Sequence, residues 1–583
     1  MDLQPAQLKR LALEMRLLTE HAQATPGFVI QKWGVTPAGE VCLSFHLELL
    51  VGTFNGLLVY PDLFPDMPAY VKPQRDGESW SSHQYLGAGV LCLQYGPDNW
   101  QPSITGVDLV RSANLLLWND LLRAVVPGAP AVITRHYETL GQNVRFDNHR
   151  FVVTAGLREA IVAAEGASEA GRPIALKAGL MFLSGQSVAV ATMLGGNVSV
   201  ADVPAAVAEE ASERSGWLVR VSSVAEAGKP EGSADLIRAL SAAWPWPEEL
   251  DGEMRLLVLH DENGALRVFS MSGGADARFS ELRVLDFGTL AQARLPAQFE
   301  KLTGVTVAVV GLGSVGSKVA VSLARAGVRR FLLIDDDVLA PCNLVRNELN
   351  WLDVGFEKVN TVARELNRIA PGVEVKVRSL RIAGQENPLV AVRLATDLVD
   401  CNLVVDATAN AQVFVTLAAL CKRAKVALMW GELFGGGGGG LMARSRPGLD
   451  ADPLSIRGHL LGVMAQMSPA PEGPANRYGV EVDGHVYVAS DADVSALAAS
   501  MTQFTLDALC ADGESAYPVA AYLIGFRKFW EFKQPFDTIP IDCTGAFRPE
   551  TTGEALTPED TAQLGELVRA LQASTNAAGN RPA

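Results

Sequence analysis

The chain has 583 residues, 48% of them hydrophobic, enough for three or four buried-core domains at about 150 residues each. Its formal net charge of −16 excludes a nucleic-acid binder that relies on a broad basic surface. Its seven cysteines include no CxxC pair, which excludes the common structural zinc sites and points to free thiols in a reducing, cytoplasmic compartment.

Residues 1–150 read as an α+β domain. Asp2, Lys9, Arg10 and Glu14 interrupt any secretory signal core. Leu8, Leu11, Met15 and Leu18 fall at helical spacing and predict one apolar helix face. Extended segments come next at Phe28–Trp33, Val41–Leu49 and Thr53–Tyr60, then a loop carrying Pro61, Pro65, Pro68 and Pro73. Val90-Leu91-Cys92-Leu93 and a helix near Val107–Ala124 complete the region.

Residues 151–285 are rich in Ala, Gly and Val, with strand-like runs at Leu218–Val221 and Arg255–Leu259. They carry no catalytic constellation and read as an α/β linker or scaffold domain. The stretch Ala178–Ala201 holds no charged residue and is long enough to span a membrane. Its polar residues and the Gly195-Gly196 pair make two strands and a turn the expectation, with no membrane partner.

Residues 286–560 alternate strand and helix. Strands are predicted at Val305–Val310, Arg330–Ile334, Val373–Val377, Leu403–Asp406 and Val426–Trp430, with helices at Ser314–Ala326 and Phe356–Ala370. Such alternation implies a Rossmann-like, mostly parallel sheet covered by helices. Residues 561–583 read as one short helix, near Ala562–Gln572, and a fraying tail.

Gly311-Leu312-Gly313-Ser314-Val315-Gly316 comes directly after a buried strand and opens a helix. Glycines there let backbone approach a phosphate, and the helix start offers unpaired N–H groups. The motif alone suits a nicotinamide dehydrogenase equally well. The residues downstream of it discriminate. Asp335-Asp336-Asp337 ends the second strand, Asn343 and Arg346 come next, Lys358 opens a helix, and Asp406 ends a strand in Val404-Val405-Asp406-Ala407-Thr408. Arg and Lys neutralise a polyphosphate and a carboxylate holds Mg²⁺, as needed when the α-phosphorus of ATP is attacked.

This series resembles the ThiF/MoeB and ubiquitin-activating superfamily, which adenylates carboxyl termini. The resemblance covers about 130 residues. It implies ATP and Mg²⁺ as cofactors, with Gly311, Gly313, Ser314 and Gly316 at the phosphates and Asp335 on the ribose. Asp337 joins that nucleotide site, Asn343, Arg346 and Lys358 face the phosphates, and Asp406 takes the metal. Members often add an arginine from before the first strand, frequently across a dimer. Arg278, Arg283 and Arg294 are the candidates here, and a homodimer is expected. The run Gly435–Gly440 is either a linker or a side-chain-free wall for a threaded substrate tail.

Adenylation yields a mixed anhydride that a thiolate can attack. Cys543, in the Pro- and Gly-flanked loop Ile539–Gly545, is the favoured acceptor, expected to be exposed, with Cys510 second. Asp542 beside it raises its pKa, so activation must come from elsewhere.

The front domain also carries a motif set. The proline loop, His83, Gly89-Val90-Leu91-Cys92-Leu93 and Trp100-Gln101-Pro102 resemble the core of a ubiquitin-conjugating enzyme, with Cys92 the nucleophile and His83 beside it. The family's His-Pro-Asn is His83-Gln84-Tyr85 here, so Gln84 or Tyr85 must supply the oxyanion donor. The whole chain resembles the activating–conjugating fusions of bacterial CBASS anti-phage systems. That implies a cGAS-like nucleotidyltransferase or a ubiquitin-like protein as substrate and a lysine-bearing target. The alternative is activation of a sulfur carrier, with the front domain serving only for docking.

Overall fold

The computed structural model describes residues 4–125 apart from 50–51, 82 and 86–88; residue 144; 147–287 apart from 168–171, 225–252 and 273–277; 295–467; 479–546 apart from 483–484 and 512–513; and 557, 563–565 and 569. Most of the helix expected near 562–572 therefore lies outside the described residues. The chain divides into two compact units, Met1–Arg145 and Phe146–Ala583.

In the first unit, α1 (Pro5–Ala24) precedes an antiparallel meander of β1 (Phe28–Val35), β2 (Val41–Leu49), β3 (Gly52–Tyr60) and β4 (Tyr70–Pro73), and α2 (Gly106–Val125) comes after it. Leu43, Phe45 and Leu47 of β2 alternate into the core as a half-buried strand requires. The expected face of α1 is shifted. Leu11 and Leu18 are buried, whereas Leu8 is 52% and Met15 41% exposed. The third inward position is Glu14, fully buried. It is tolerated because Gly106 N–H (2.6 Å), the Tyr60 hydroxyl (3.2 Å) and Arg10 all donate to its carboxylate. That carboxylate ties α1 to the start of α2.

The second unit opens with β5 (His149–Val153), α3 (Ala155–Ala167), β6 (Ile174–Leu183), β7 (Gln186–Leu194), β8 (Val198–Ser199), α4 (Ala205–Glu210), β9 (Ser212–Arg220), β10 (Arg255–His260), β11 (Leu266–Ser272) and β12 (Arg278–Asp286). Hydrogen bonding runs β5-β12-β11-β10-β9-β6-β7, and β7 also pairs with β5. The strands therefore close into a barrel, where the sequence suggested an α/β linker. The small residues Ala178, Ala189 and Ala191 are buried in it. The uncharged stretch forms β6 and β7, with Ser184 and Gly185 at their turn. Among the described residues no helix is long and apolar enough to cross a membrane.

The remainder comprises β13 (Thr306–Val310), α5 (Ser314–Ala326), β14 (Arg330–Ile334), α6 (Lys358–Ile369), β15 (Glu374–Arg378), α7 (Pro388–Val399), β16 (Leu403–Asp406), α8 (Ala411–Ala424), β17 (Ala427–Phe434), β18 (Gly439–Ser445), α9 (Pro453–Gln466), the β19 (Gly479–Val482)–β20 (His485–Val488) hairpin, α10 (Asp491–Cys510), β21 (Ala521–Gly525) and β22 (Thr538–Ile541). The sheet order is β15-β14-β13-β16-β17-β18-β21-β22. Strands β15 to β17 are parallel, as the alternation predicted. Strands β18, β21 and β22 extend the sheet antiparallel, an extension that no periodicity in the sequence announced. Helices α5, α6 and α10 bury one face of the sheet; α7, α8 and α9 bury the other. The chain leaves β13 for β14 on one side and returns to β16 on the other. That reversal opens a crevice at the carboxyl ends of β13 and β16, where open α/β sheets hold their ligands.

Candidate active site

The glycine motif lies at the mouth of this crevice. Gly311, directly after β13, has φ +82°, and a Cβ there would sit 2.8 Å from the Thr408 methyl. At Gly316 a Cβ would run into the Gly311 carbonyl. These two positions press the turn against β16 and α5. Gly313, the N-cap of α5, faces open space on its Cβ side. Ser314 starts the helix, and no N-cap side chain occupies its first-turn N–H groups.

The acidic strand end braces the loop. Asp335 accepts from Leu312 N–H (2.6 Å) and Asp337 N–H (2.9 Å). Burial pushes its carboxyl above the ordinary value. Asp337 pairs with the Lys358 ammonium at 2.5 Å, which holds its carboxyl below the ordinary range. Lys358 itself is only 6% exposed. Asn343 accepts from Ala340 N–H at 2.9 Å and so closes the short turn before Arg346. Arg346 donates to the Ala489 carbonyl at 3.1 Å. Asp406 is 3% exposed and lies across the β16–β17 ladder from Trp430. Its Oδ1 accepts from the Thr408 hydroxyl (2.6 Å) and amide (3.0 Å). Burial nonetheless raises its carboxyl pKa. The glycine loop, Asp335, the Asp337–Lys358 pair and Asp406 thus gather at the carboxyl ends of β13, β14 and β16.

A ThiF family model matches residues 289–450, the stretch that carries this whole set. The chain carries a ThiF-family domain. The Sinorhizobium fredii protein y4qC is 28% identical over 461 residues, 73% of this chain and 76% of its own length. Cap2 of Pseudomonas aeruginosa, an ATP-dependent ubiquitin transferase-like protein, is 35% identical over 96 residues, 16% of this chain. The match spans only 18% of Cap2. A crystal structure of E. coli MccB with ATP superposes on 44% of this chain and 68% of its own, with TM-score 0.32 and 17% identity.

Several residues in or beside the crevice of the ThiF domain carry no signal in the motif pattern. Lys318, one turn into α5, bridges Glu348 (3.3 Å) and Asp491 (3.0 Å). Asn347 donates to the Leu312 carbonyl at 3.1 Å, bracing the glycine loop from behind. Arg457 and Glu432 approach to 3.9 Å next to Asp406. Lys318 was detectable from its position on the helix that the motif opens; Arg457, on α9, was not. The glycine run is no linker. Gly435, Gly436 and Gly437 take positive φ, and Gly439 and Gly440 lie in β18. Side chains at Gly435 or Gly438 would collide with the Phe529 ring, which is the local reason for glycine.

Cys543 requires a correction. Its loop does not expose the thiol: the residue is 4% exposed and packs in the core with Cys421 and Ile541. Burial, then Asp542 and Asp450, push the thiol up to about 11. The β21–β22 pairing carries the chain inward, and proline and glycine punctuation could not reveal that. Cys510, the second choice, is buried too. Of the arginine candidates, Arg283 pairs with Asp147 at 3.7 Å, while Arg294 and the Arg278 side chain lie outside the described residues.

In the first unit Cys92 is partly exposed. Its N–H donates to the His83 carbonyl at 2.8 Å, which sets the two residues on adjacent backbone. The Gln84 amide is committed to its own loop, donating to Glu78 O and Gly89 O and accepting from Trp80 N–H. Tyr85, the other candidate oxyanion donor, is 42% exposed. Trp100 Nε1–H reaches Pro65 O at 2.7 Å and anchors the proline loop.

Proposed function

We propose that the ThiF domain adenylates the C-terminal carboxylate of a protein or peptide, using ATP. The observation that carries this is the convergence, in one switch-point crevice, of an open glycine turn, a buried lysine and a desolvated aspartate. The phosphates seat on the first turn of α5 through Gly311, Gly313, Ser314 and Gly316. Asp335 receives the ribose. Lys358, released from Asp337, neutralises phosphate charge together with Asn343 and Arg346. Asp406 fits Mg²⁺: it is a buried carboxylate with Glu432 in the same lining, and Mg²⁺ binds through one or two carboxylates plus phosphate oxygens. When bound there, Mg²⁺ would withdraw electron density from the phosphates. The substrate carboxylate oxygen bonds to the α-phosphorus as the bond to pyrophosphate breaks, and pyrophosphate leaves with the electron pair.

Beyond adenylation, the proposed route is transfer as a thioester to Cys543, then to Cys92 beside His83, then to a lysine amine. The substrate would be a cGAS-like nucleotidyltransferase or a ubiquitin-like protein. A cytoplasmic homodimer completes the proposal. The name of Cap2 supports this direction for its matched stretch alone. The covered Cys543 thiol favours a second reading, in which the adenylate passes on without a thioester at that residue, as in sulfur-carrier activation. Intact-mass analysis after incubation with ATP and candidate substrate proteins separates them. Adenylate without any thioester or amide product supports the second reading. Absence of adenylate with every candidate sinks both.

A further inference from the structure

Away from the adenylating site, the barrel of the second unit holds a cavity of about 210 Å³. Helix α3 supplies one wall. Arg158, Ile161, Val162 and Glu165 recur at the i, i+3, i+4, i+7 spacing of a single helix face. Strands β9 and β10 supply the other. They run parallel, and their last residues, Arg220 and His260, are register partners. Leu266, the first residue of β11, adds an apolar side chain. The polar groups of this lining are unequally matched. Asp261 accepts from the N–H groups of Val224 (3.2 Å), Asn263 (3.0 Å) and Ala265 (3.1 Å) and is committed to its turn. Arg158 is committed to the Gly264 carbonyl (2.9 Å) and the Asp286 carboxylate. Glu165 is held less closely: its Oε1 stands 3.7 Å from the Arg220 guanidinium and 3.3 Å from His260 Nε2. Both exceed the roughly 2.7–3.2 Å of an N–H···O hydrogen bond. His260 is only 5% exposed, and burial, the largest influence on it, holds its imidazole below the ordinary pKa. Buried polar groups are nearly always paired, so a carboxylate, a guanidinium and a buried imidazole that face one cavity without closing on each other need an explanation.

We propose that this cavity binds a small zwitterion, an aliphatic α-amino acid, with its ammonium on Glu165, its carboxylate on Arg220 and its side chain against Ile161, Val162 and Leu266. The inference goes beyond adenylation and does not depend on it. Opposite charges that face a shared space suit a ligand carrying both. A simple anion would meet Glu165 and the exposed Glu262, and a simple cation would meet Arg220 and Arg158. Neutral His260 offers one N–H donor and one acceptor nitrogen, so it can bond either end of a zwitterion. Sites for drug-sized ligands run to roughly 300–1,000 Å³, and this cavity is smaller, which fits one amino acid and leaves no room for a nucleotide. The apolar residues of α3 and β11 set the preference for an aliphatic side chain.

The test is calorimetric titration of the full chain with L-leucine, with isocaproate, which lacks the ammonium, and with isoamylamine, which lacks the carboxylate. Losing a hydrogen bond to a charged group corresponds to roughly tenfold or more in affinity. Leucine should therefore bind wild type more tightly than either analogue by about that factor. Glu165→Gln and Arg220→Gln remove one charge each from partly exposed side chains, and each should weaken leucine to a similar extent. Val162 is 71% exposed, so Val162→Trp can overhang the cavity without disturbing the core or any charge, and it should abolish binding. That variant keeps the test decisive should a charge variant misfold, which ligand-free thermal unfolding reports. Three results overturn the proposal: no leucine binding by wild type at millimolar concentration, an analogue that matches leucine, or leucine affinity preserved in both folded charge variants. None of them bears on adenylation.

Discussion

Replacing Asp406 by Asn should stabilise the ligand-free protein and remove its response to Mg·ATP. Asp406 is 3% exposed, and its carboxyl is raised chiefly by burial, against the bonds from Thr408 and the charge of Arg457. Asn keeps an Oδ1 acceptor in place, so both Thr408 bonds survive and only the buried charge goes. An acid whose folded-state pKa is raised favours folding while protonated. That contribution is present below the ordinary carboxylate pKa and is lost as pH rises through the raised value. Asn suffers no such loss, so the variant's advantage grows across that window and then levels. An incompletely paired buried group costs about 1–3 kcal/mol, and each kcal/mol moves Tm by roughly 2–4 °C in a body of this kind. Mg·ATP at a hundred times its Kd should add about 2.7 kcal/mol to the wild type, and the variant should lose most of that increment. Thermal unfolding from pH 4 to pH 8, with Mg·ATP or with ATP and EDTA, reads both effects. A variant less stable than wild type at neutral pH, or one keeping the full Mg·ATP shift, refutes the assignment.

Gly316→Ala should abolish nucleotide binding by equilibrium dialysis, because the added methyl meets the Gly311 carbonyl and must push α5 off the loop. Iodoacetamide mapping at pH 7.5 should modify Cys92 while sparing Cys543, whose labelling should climb only as pH approaches about 11; rapid labelling of Cys543 in the folded protein would show that its cover opens readily. Cys92→Ala should leave adenylation intact and eliminate lysine-linked product, whereas unimpaired conjugation on non-reducing and reducing gels would remove the conjugating role of the first unit. Light scattering at micromolar concentration should report a homodimer, and a fully active monomer would contradict that state.

Local signals in the sequence were enough for the elements of the nucleotide site. The alternation from Val305 to Trp430 located β13 to β17, because buried parallel strands read as apolar runs between amphipathic helices. The glycine motif and the acids after it were legible because a phosphate loop needs backbone without side chains at fixed offsets. Tertiary packing decided the rest. Whether a cysteine is a nucleophile depends on what covers it, and β21–β22 pairing buries Cys543 where a proline-flanked loop suggested exposure. Glu14 looks like a surface charge on α1, yet its acceptors are filled by Gly106 and Tyr60, far along the chain. Closure of β5 on β7 turned an expected α/β linker into a barrel, since ring closure is a long-range pairing that no short window encodes. Arg457 and Trp430 meet Asp406 only because α9 and β17 converge on the end of β16. Periodicity and motif spacing are properties of contiguous residues; burial, charge compensation and cleft shape are properties of residues brought together from afar, and those only the folded chain determines.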